Sequence, residues 1–181
     1  MLIWILIMIG SILLDQISKI LVYNFLDREE PLYIIKGVLR FTYVENDGAA
    51  FGMLGDHRWV FMILSTIGIA AVLVYMWKFR PESKLACTAL SFIVGGGIGN
   101  MIDRIRLGYV IDFIDFCAFP KLWMWVFNIA DSFVCVGAGM MIFYLIMDII
   151  KEGNREKLKR AEAALAASER KRAEQGEREN E

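Results

Sequence analysis

The sequence predicts an all-α membrane protein: four transmembrane helices, a small β-rich cradle on the outer side and a charged C-terminal helical tail. Three observations predict it. Hydrophobic residues make up 57% of the 181 residues, above the roughly 45–50% of soluble domains. Four separate runs are long enough to cross a bilayer, which takes about 20 mostly apolar residues. The polar clusters within those runs and at their outer ends fall at one depth.

The first run, Met1–Leu14, carries no charge, and its apolar pattern continues to Val22 past Asp15 and Lys19. It lacks a basic n-region and an A-x-A site, so it reads as a span and not as a cleaved signal. Tyr33–Tyr43 mixes Tyr, Ile, Val, Phe and Thr around Gly37 and predicts a short hairpin. Trp59–Trp77 is 19 uncharged residues between Arg58 and Lys78, and Leu85–Ile102 is 18 between Lys84 and Asp103. Val110–Phe116 is strand-like, with Val110, Asp112, Ile114 and Phe116 on one face. Leu122–Met147 is 26 residues with Asp131 as its one charge. Residues 154–175, rich in Ala, Glu, Lys and Arg, predict a solvated helix whose basic start is suited to anionic lipid. The expected organisation is a membrane domain over 1–150 and a cytoplasmic tail over 151–181.

Lys78, Arg80 and Lys84 cluster in the second connection, and Lys151, Arg155, Lys157, Lys159 and Arg160 follow the last span. The Lys/Arg bias puts both termini and the second connection inside, and the first and third connections outside. At ~1.5 Å per residue, Asp15 lies ~21 Å and Lys19 ~27 Å along the first span. Asn100, Asp103 and Arg104 then end the third span at its outer side. Asn128 and Asp131 begin the fourth, and Asp112 just precedes it. One outer site is the economical explanation, because intramembrane ionisable groups are costly and mark function.

Composition narrows the chemistry. The net charge of −1 gives no nucleic-acid footprint. Cys87, Cys117 and Cys135 form no CxxC and no even framework, so neither a metal site nor a disulfide scaffold is expected. The single histidine, His57, sits in a polar Gly-Asp-His-Arg turn read as exposed. It cannot supply HExxH zinc chemistry or a nucleophile–histidine pair. Gly95-Gly96-Gly97-Ile98-Gly99 reads as close helix packing. Asp15 and Lys19, spaced i,i+4, either neutralise each other inside the bundle or contact substrate directly. Asp103 and Arg104 are expected to form an interfacial ion pair, and Ser132 and Cys135 to be packing residues. Asp112 and Asp131 remain. Two neighbouring carboxylates share a proton, so that one activates water while the other polarises a carbonyl. Residue types alone leave three readings open: an aspartyl hydrolase, a small proton-coupled transporter and a non-catalytic membrane component.

Four ordered motifs discriminate. They are Asp15-Gln16-Ile17-Ser18-Lys19, Asn46-Asp47-Gly48-Ala49-Ala50-Phe51, Gly95–Arg104 leading to Gly108-Tyr109-Val110-Ile111-Asp112-Phe113, and Phe127-Asn128-Ile129-Ala130-Asp131-Ser132. Together, over roughly residues 10–150, they resemble the lipoprotein signal peptidase (signal peptidase II) family. The resemblance implies a bacterial inner-membrane aspartyl endopeptidase without a cofactor, its active site at the periplasmic face. Its implied substrates are prolipoproteins with a diacylglyceryl-modified Cys, cut just before that Cys. Globomycin-type inhibitors and membrane lipid are the other implied partners. Carried over, Asp112 and Asp131 are the catalytic dyad. Asn46, Gly48, Asn100, Arg104, Asn128 and Ala130 are substrate-binding or supporting residues, and Asp15 and Lys19 a mainly structural pair. Gly97 stands where the family commonly has Ala, and the charged tail is longer than the family's.

Overall fold

The computed structural model describes residues 2–48, 58–118 and 125–178. Ala49, Ala50, Phe51 and His57 of the sequence reading lie outside these. Helix α1 spans Leu2–Phe25, α2 Arg58–Phe79, α3 Lys84–Arg106 and α4 Ile129–Arg178. Strands β1 (Leu32–Ile35), β2 (Leu39–Asn46), β3 (Val110–Phe116) and β4 (Val126–Phe127) form one antiparallel sheet in that order. The chain divides into two compact units, Met1–Met141 and Ile142–Glu181. The site lies in the first.

Among the described residues, four helices are long and apolar enough to cross a membrane: Leu2–Phe25, Met62–Phe79, Lys84–Arg106 and Ile129–Arg160. Helix α1 shows why. Its buried residues are Ser11, Asp15, Lys19 and Val22, one stripe at helical spacing, and three of the four are polar. Leu6, Ile9, Leu13, Leu14, Ile17, Ile20 and Leu21 are exposed. A water-soluble helix has the opposite arrangement. Hydrocarbon outside, with polar groups paired inside, is the condition that makes this pattern stable.

Helix α3 is the hub, and its glycines allow the close approaches. A Cβ on Gly95 would lie 2.7 Å from Ser11 Cβ of α1, and one on Gly97 would lie 3.2 Å from Ile69 Cδ1 of α2. At Gly96 it would run into the Ala130 carbonyl of α4, and at Gly99 it would lie 2.5 Å from Asp15 Oδ2. Successive residues on a helix point about 100° apart, so one glycine run serves three neighbours. At the opposite end of α3, Met76, Cys87 and Leu90 form a small apolar cluster with Trp4, Met8, Val72 and Met141.

The expected hairpin is present as β1 and β2, turning at Gly37 with φ 75°. The expected strand over 110–116 is β3. Its burial does not alternate: Ile111 and Phe113 are as buried as Val110 and Asp112. One face presents Asp112, and the other packs Ile111 and Phe113 against Val22, Leu26 and Phe41. The fourth helix starts later than Leu122. Val126–Phe127 pair with β3 as β4, and the helix begins at Ile129. A short apolar run does not tell strand from helix, and pairing to β3 decides it here.

Gly96 faces backbone and Gly97 a flexible side-chain end. Gly96→Ala is therefore expected to cost about 1–3 kcal/mol of overpacking. Gly97→Ala is expected to stay at or above wild type, helped by up to ~1 kcal/mol of helix propensity. Thermal unfolding in detergent checks this, and equal losses from both would contradict the packing assignment.

Candidate active site

Two helix–strand junctions build the site. Helix α3 ends at Leu107, Gly108 turns the chain at φ 92°, and β3 begins two residues on. Strand β4 ends at Phe127, and Asn128 starts α4 immediately. Asn128 is the N-cap. Its Oδ1 accepts from the Asp131 N–H at 2.9 Å, while Asp131 Oδ2 accepts from the Asn128 N–H at 3.2 Å. This is a reciprocal capping box with Asp in place of the usual Glu. Asp131 is thus fixed in the first turn of α4, where the helix dipole favours negative charge.

Asp112 projects from β3 and is 2% exposed. Its Oδ2 accepts from Asn46 Nδ2 at 2.7 Å and its Oδ1 from Asn128 Nδ2 at 2.6 Å. Asp131 Oδ1 accepts from Asn100 Nδ2 at 2.7 Å. Asn128 Nδ2 also donates to Asn100 Oδ1 at 3.1 Å. One side chain thereby touches both carboxylates' surroundings and locks their spacing. Gly48 closes the edge: its N–H donates to Asn46 Oδ1 at 3.0 Å, and its carbonyl accepts from Arg104 Nη2 at 3.2 Å. The Arg104 charge also acts on Asp131 and Asp112.

Each asparagine amide has its orientation determined. The oxygen of Asn46 faces the Gly48 N–H, that of Asn128 the Asp131 N–H, and that of Asn100 the Lys19 ammonium at 2.8 Å. Those partners only donate. Each NH2 is therefore left for a carboxylate.

Beneath lies an ionic layer. Lys19 Nζ is 2.9 Å from Asp15 Oδ2 and 2.8 Å from Asp103 Oδ2, with all three residues buried. Asp15 Oδ1 accepts from the Ala130 N–H at 2.9 Å, which ties α1 to the start of α4. Asp103 Oδ2 accepts from the Ile111 N–H at 3.2 Å, which ties α3 to β3. Ala130 is itself fully buried between the α3 glycines, and so supports the site from below.

The structure brings together all ten residues expected at the site. It corrects one pairing: Asp103 bonds Lys19, and Arg104 points to Gly48. Neighbours in sequence on a helix do not face each other, so Asp103 and Arg104 never suited a mutual pair. Gln16 was missed. Its Nε2 donates to Asp15 Oδ2 (3.2 Å), Gly99 O (3.1 Å) and Asp103 Oδ1 (2.9 Å). A polar amide inside an apolar span was the available signal. Ser132 Oγ bonds the Asn128 carbonyl at 2.9 Å, and Cys135 is exposed instead of packed.

Burial pushes the Asp112 carboxyl up to about 6. The Asp131 charge adds to the rise, and the Asn46 and Asn128 hydrogen bonds and the Lys19 charge oppose it. Among the described residues, no three His, Cys, Asp or Glu side chains form a metal-binding group. The chemistry on offer is that of two unequal carboxylates, three amide donors and one guanidinium.

A two-carboxylate centre, Asp112 buried and Asp131 half-buried, beside four membrane-length helices defines the class: a multi-pass membrane protein. Its fold matches a bacterial membrane enzyme solved by the in meso method at 2.3 Å resolution. That match has a TM-score of 0.75 and 31% identity, over 81% of this chain and 88% of the other. The family model for signal peptidase (SPase) II matches residues 7–147. The lipoprotein signal peptidase of Halothermothrix orenii is 45% identical over 134 residues, 74% of this chain and 88% of that one. That of Caldanaerobacter subterraneus subsp. tengcongensis is 46% identical over 135 residues, 75% and 90% of the two chains. The chain belongs to the signal peptidase II family. It is a multi-pass bacterial membrane peptidase.

Two stability predictions arise here. Lys19→Ala leaves two buried carboxylates without their cation, so a loss of roughly 3–5 kcal/mol is expected. Asp103→Asn, which leaves Lys19 paired to Asp15, should lose less, and detergent melting gives the order. Separately, Asp112 prefers its neutral form in the fold. Its contribution is fully present below the ordinary value near 4 and is lost as pH rises through about 6. The stability of Asp112→Asn relative to wild type should therefore grow between those pH values. A pH-independent difference would contradict the burial argument.

Proposed function

We propose that Asp112 and Asp131 are the catalytic dyad of an aspartic endopeptidase that removes the signal peptide from diacylglyceryl-modified prolipoproteins. The single supporting observation is the Asn128 bridge. Its amide donates to Asp112, while its oxygen and backbone N–H hold Asp131. The names of the relatives, lipoprotein signal peptidases, support the substrate class.

In this reading Asp131, in the first turn of α4 where the helix dipole favours negative charge, is the base. Asp112, whose burial favours the neutral acid, is the acid. Asp131 takes a proton from water as the water oxygen attacks the scissile carbonyl carbon. Asp112 donates its proton to the carbonyl oxygen, giving a gem-diol. Asp131 then passes its proton to the leaving amine nitrogen, the C–N bond breaks, and Asp112 recovers a proton from the gem-diol. Both carboxyls return to their starting states. Asn46, Gly48, Arg104 and the sheet edge hold the unwound substrate segment, because an intact helix exposes its peptide bonds poorly. The acyl chains stay in the bilayer, where globomycin-type inhibitors also enter. The site faces the periplasm across the inner membrane, with both termini and the solvated 151–181 tail in the cytoplasm.

The deciding experiment compares a lipidated prolipoprotein with its unlipidated form. Selective cleavage of the first is expected, whereas proton-coupled flux without cleavage would favour a transporter. Asp112→Asn and Asp131→Asn should each lose nearly all turnover while still binding lipidated substrate. The double variant should be little worse, because the pair acts as one unit. Wild-type kcat/KM should fall as pH rises through about 6, as Asp112 loses its proton. The alkaline limb of kcat should lie higher, because bound substrate excludes water. Near-normal turnover in either single variant would reject the dyad.

Topology has its own test, in a chain whose native cysteines are replaced. A cysteine at Arg28 should label from the periplasmic side, and cysteines at Glu82 or Arg155 should not. Outside labelling at Arg155 would overturn the orientation.

A further inference from the structure

Lys19 is more enclosed than an ion pair requires. Its ammonium, 2% exposed, meets Asp15 on its own helix, Asp103 on α3, and in addition the uncharged Asn100 Oδ1 at 2.8 Å. Arg104 follows one residue after Asp103 on α3. Asp112 on β3 feels the Lys19 charge, and Asp131 on α4 is reached through Asn100.

The third contact carries consequences that neutralisation does not. An ammonium donates and never accepts. While Lys19 is in place, the Asn100 oxygen must face it, and the amide nitrogen must face Asp131 Oδ1, 2.7 Å away. Reversed, the amide would set its oxygen against a carboxylate and its NH2 against an ammonium, two repulsive contacts at once. Asn128 reinforces the same sense by donating to the same Asn100 oxygen. The electrostatic pull passes from Lys19 through a polarised amide to Asp131.

We infer that Lys19 is a positioning residue for the reaction: by fixing the orientation of Asn100 it presents a donor to Asp131 and so holds that carboxylate as the proton-accepting member of the dyad. This goes beyond a structural ion pair and rests on the reading of Asp131 as base. It separates Lys19 from Asp15, whose free oxygen is turned to the Ala130 backbone and not to the dyad.

The test uses full-length protein and a lipidated prolipoprotein. Lys19→Met removes the ammonium. The double substitution Asp15→Asn with Lys19→Met removes one charge of each sign. It keeps the layer's net charge and leaves an amide oxygen to accept from Ala130, so it isolates the lost amide lock from lost neutrality. In both, the acid limb of the kcat/KM profile is expected to move up by about one pH unit. The kcat at neutral pH should fall by at least about tenfold, with KM within about twofold. Asn100→Ala should move the limb the same way, and combining it with Lys19→Met should add little. A purely structural Lys19 would lower melting temperature and scale activity equally at every pH. An unmoved limb therefore overturns the inference, and so does failure of both Lys19 variants to fold, which assigns the residue to stability. Asp131→Asn, run alongside, separates the two claims. If it is inactive while the Lys19 variants keep their limb, only the role of Lys19 falls. If it is active, the dyad falls as well.

Discussion

The buried ammonium of Lys19 is the constraint on which the rest of the site depends. Removing an ion from water costs several kcal/mol even after relaxation, unless partners with good geometry surround it. Its three oxygen partners each have a second obligation. Asp15 also accepts from Ala130 and fixes the start of α4. Asp103 also accepts from Ile111 and fixes β3 beyond the end of α3. Asn100 also donates to Asp131. Satisfying one cation therefore sets α1, α3, β3 and α4 relative to Asp112 and Asp131. The layer forms only because Gly99 has no side chain, since a Cβ there would meet Asp15 Oδ2 at 2.5 Å.

A membrane bundle needs such devices more than a soluble domain does. Lipid is as apolar as the leucines that face it, so burying more leucine does not drive helices together. Close backbone approach and interhelical hydrogen bonds do that work. In this chain α3 supplies both. Gly95, Gly96 and Gly99 bring α1 and α4 near, and Asn100 and Asp103 bond across the gaps. The same residues support the fold and the site, which is why fold stability and the geometry of the two carboxylates are hard to separate by single substitutions.

Much of this was legible in the sequence, for identifiable reasons. The clustering of Asp15, Lys19, Asn100, Asp103, Asn128 and Asp131 is legible because helical rise converts residue number into distance, and charges in apolar runs are rare enough to be counted. Strand β3 is legible at its true limits because Val, Ile and Phe, residues suited to strands, dominate Val110–Phe116. The buried second face of β3 was not legible, since Ile111 and Phe113 pack on Val22 and Leu26 from a distant helix. The late start of α4 was missed because Val126 and Phe127 are as apolar as helix residues. Only their pairing to β3 distinguishes them. Adjacency suggests an Asp103–Arg104 pair, whereas helical geometry sends the two side chains to Lys19 and Gly48. The residues and the family resemblance both point to Asp112 and Asp131, but the amide orientations depend on atoms that no motif describes.

The two junctions explain why the acids are unequal. Asp131 belongs to a helix end, with free backbone N–H groups and a favourable dipole. Asp112 belongs to a strand buried on both faces, where donors come only from side chains and water is excluded. A helix–strand boundary offers both environments within one side chain's reach, and Asn128, last residue before α4, spans them. An all-helical site of this size would give both carboxylates similar surroundings. The small sheet therefore gives one carboxylate surroundings unlike the other's, as the proposed acid–base chemistry by two identical groups requires.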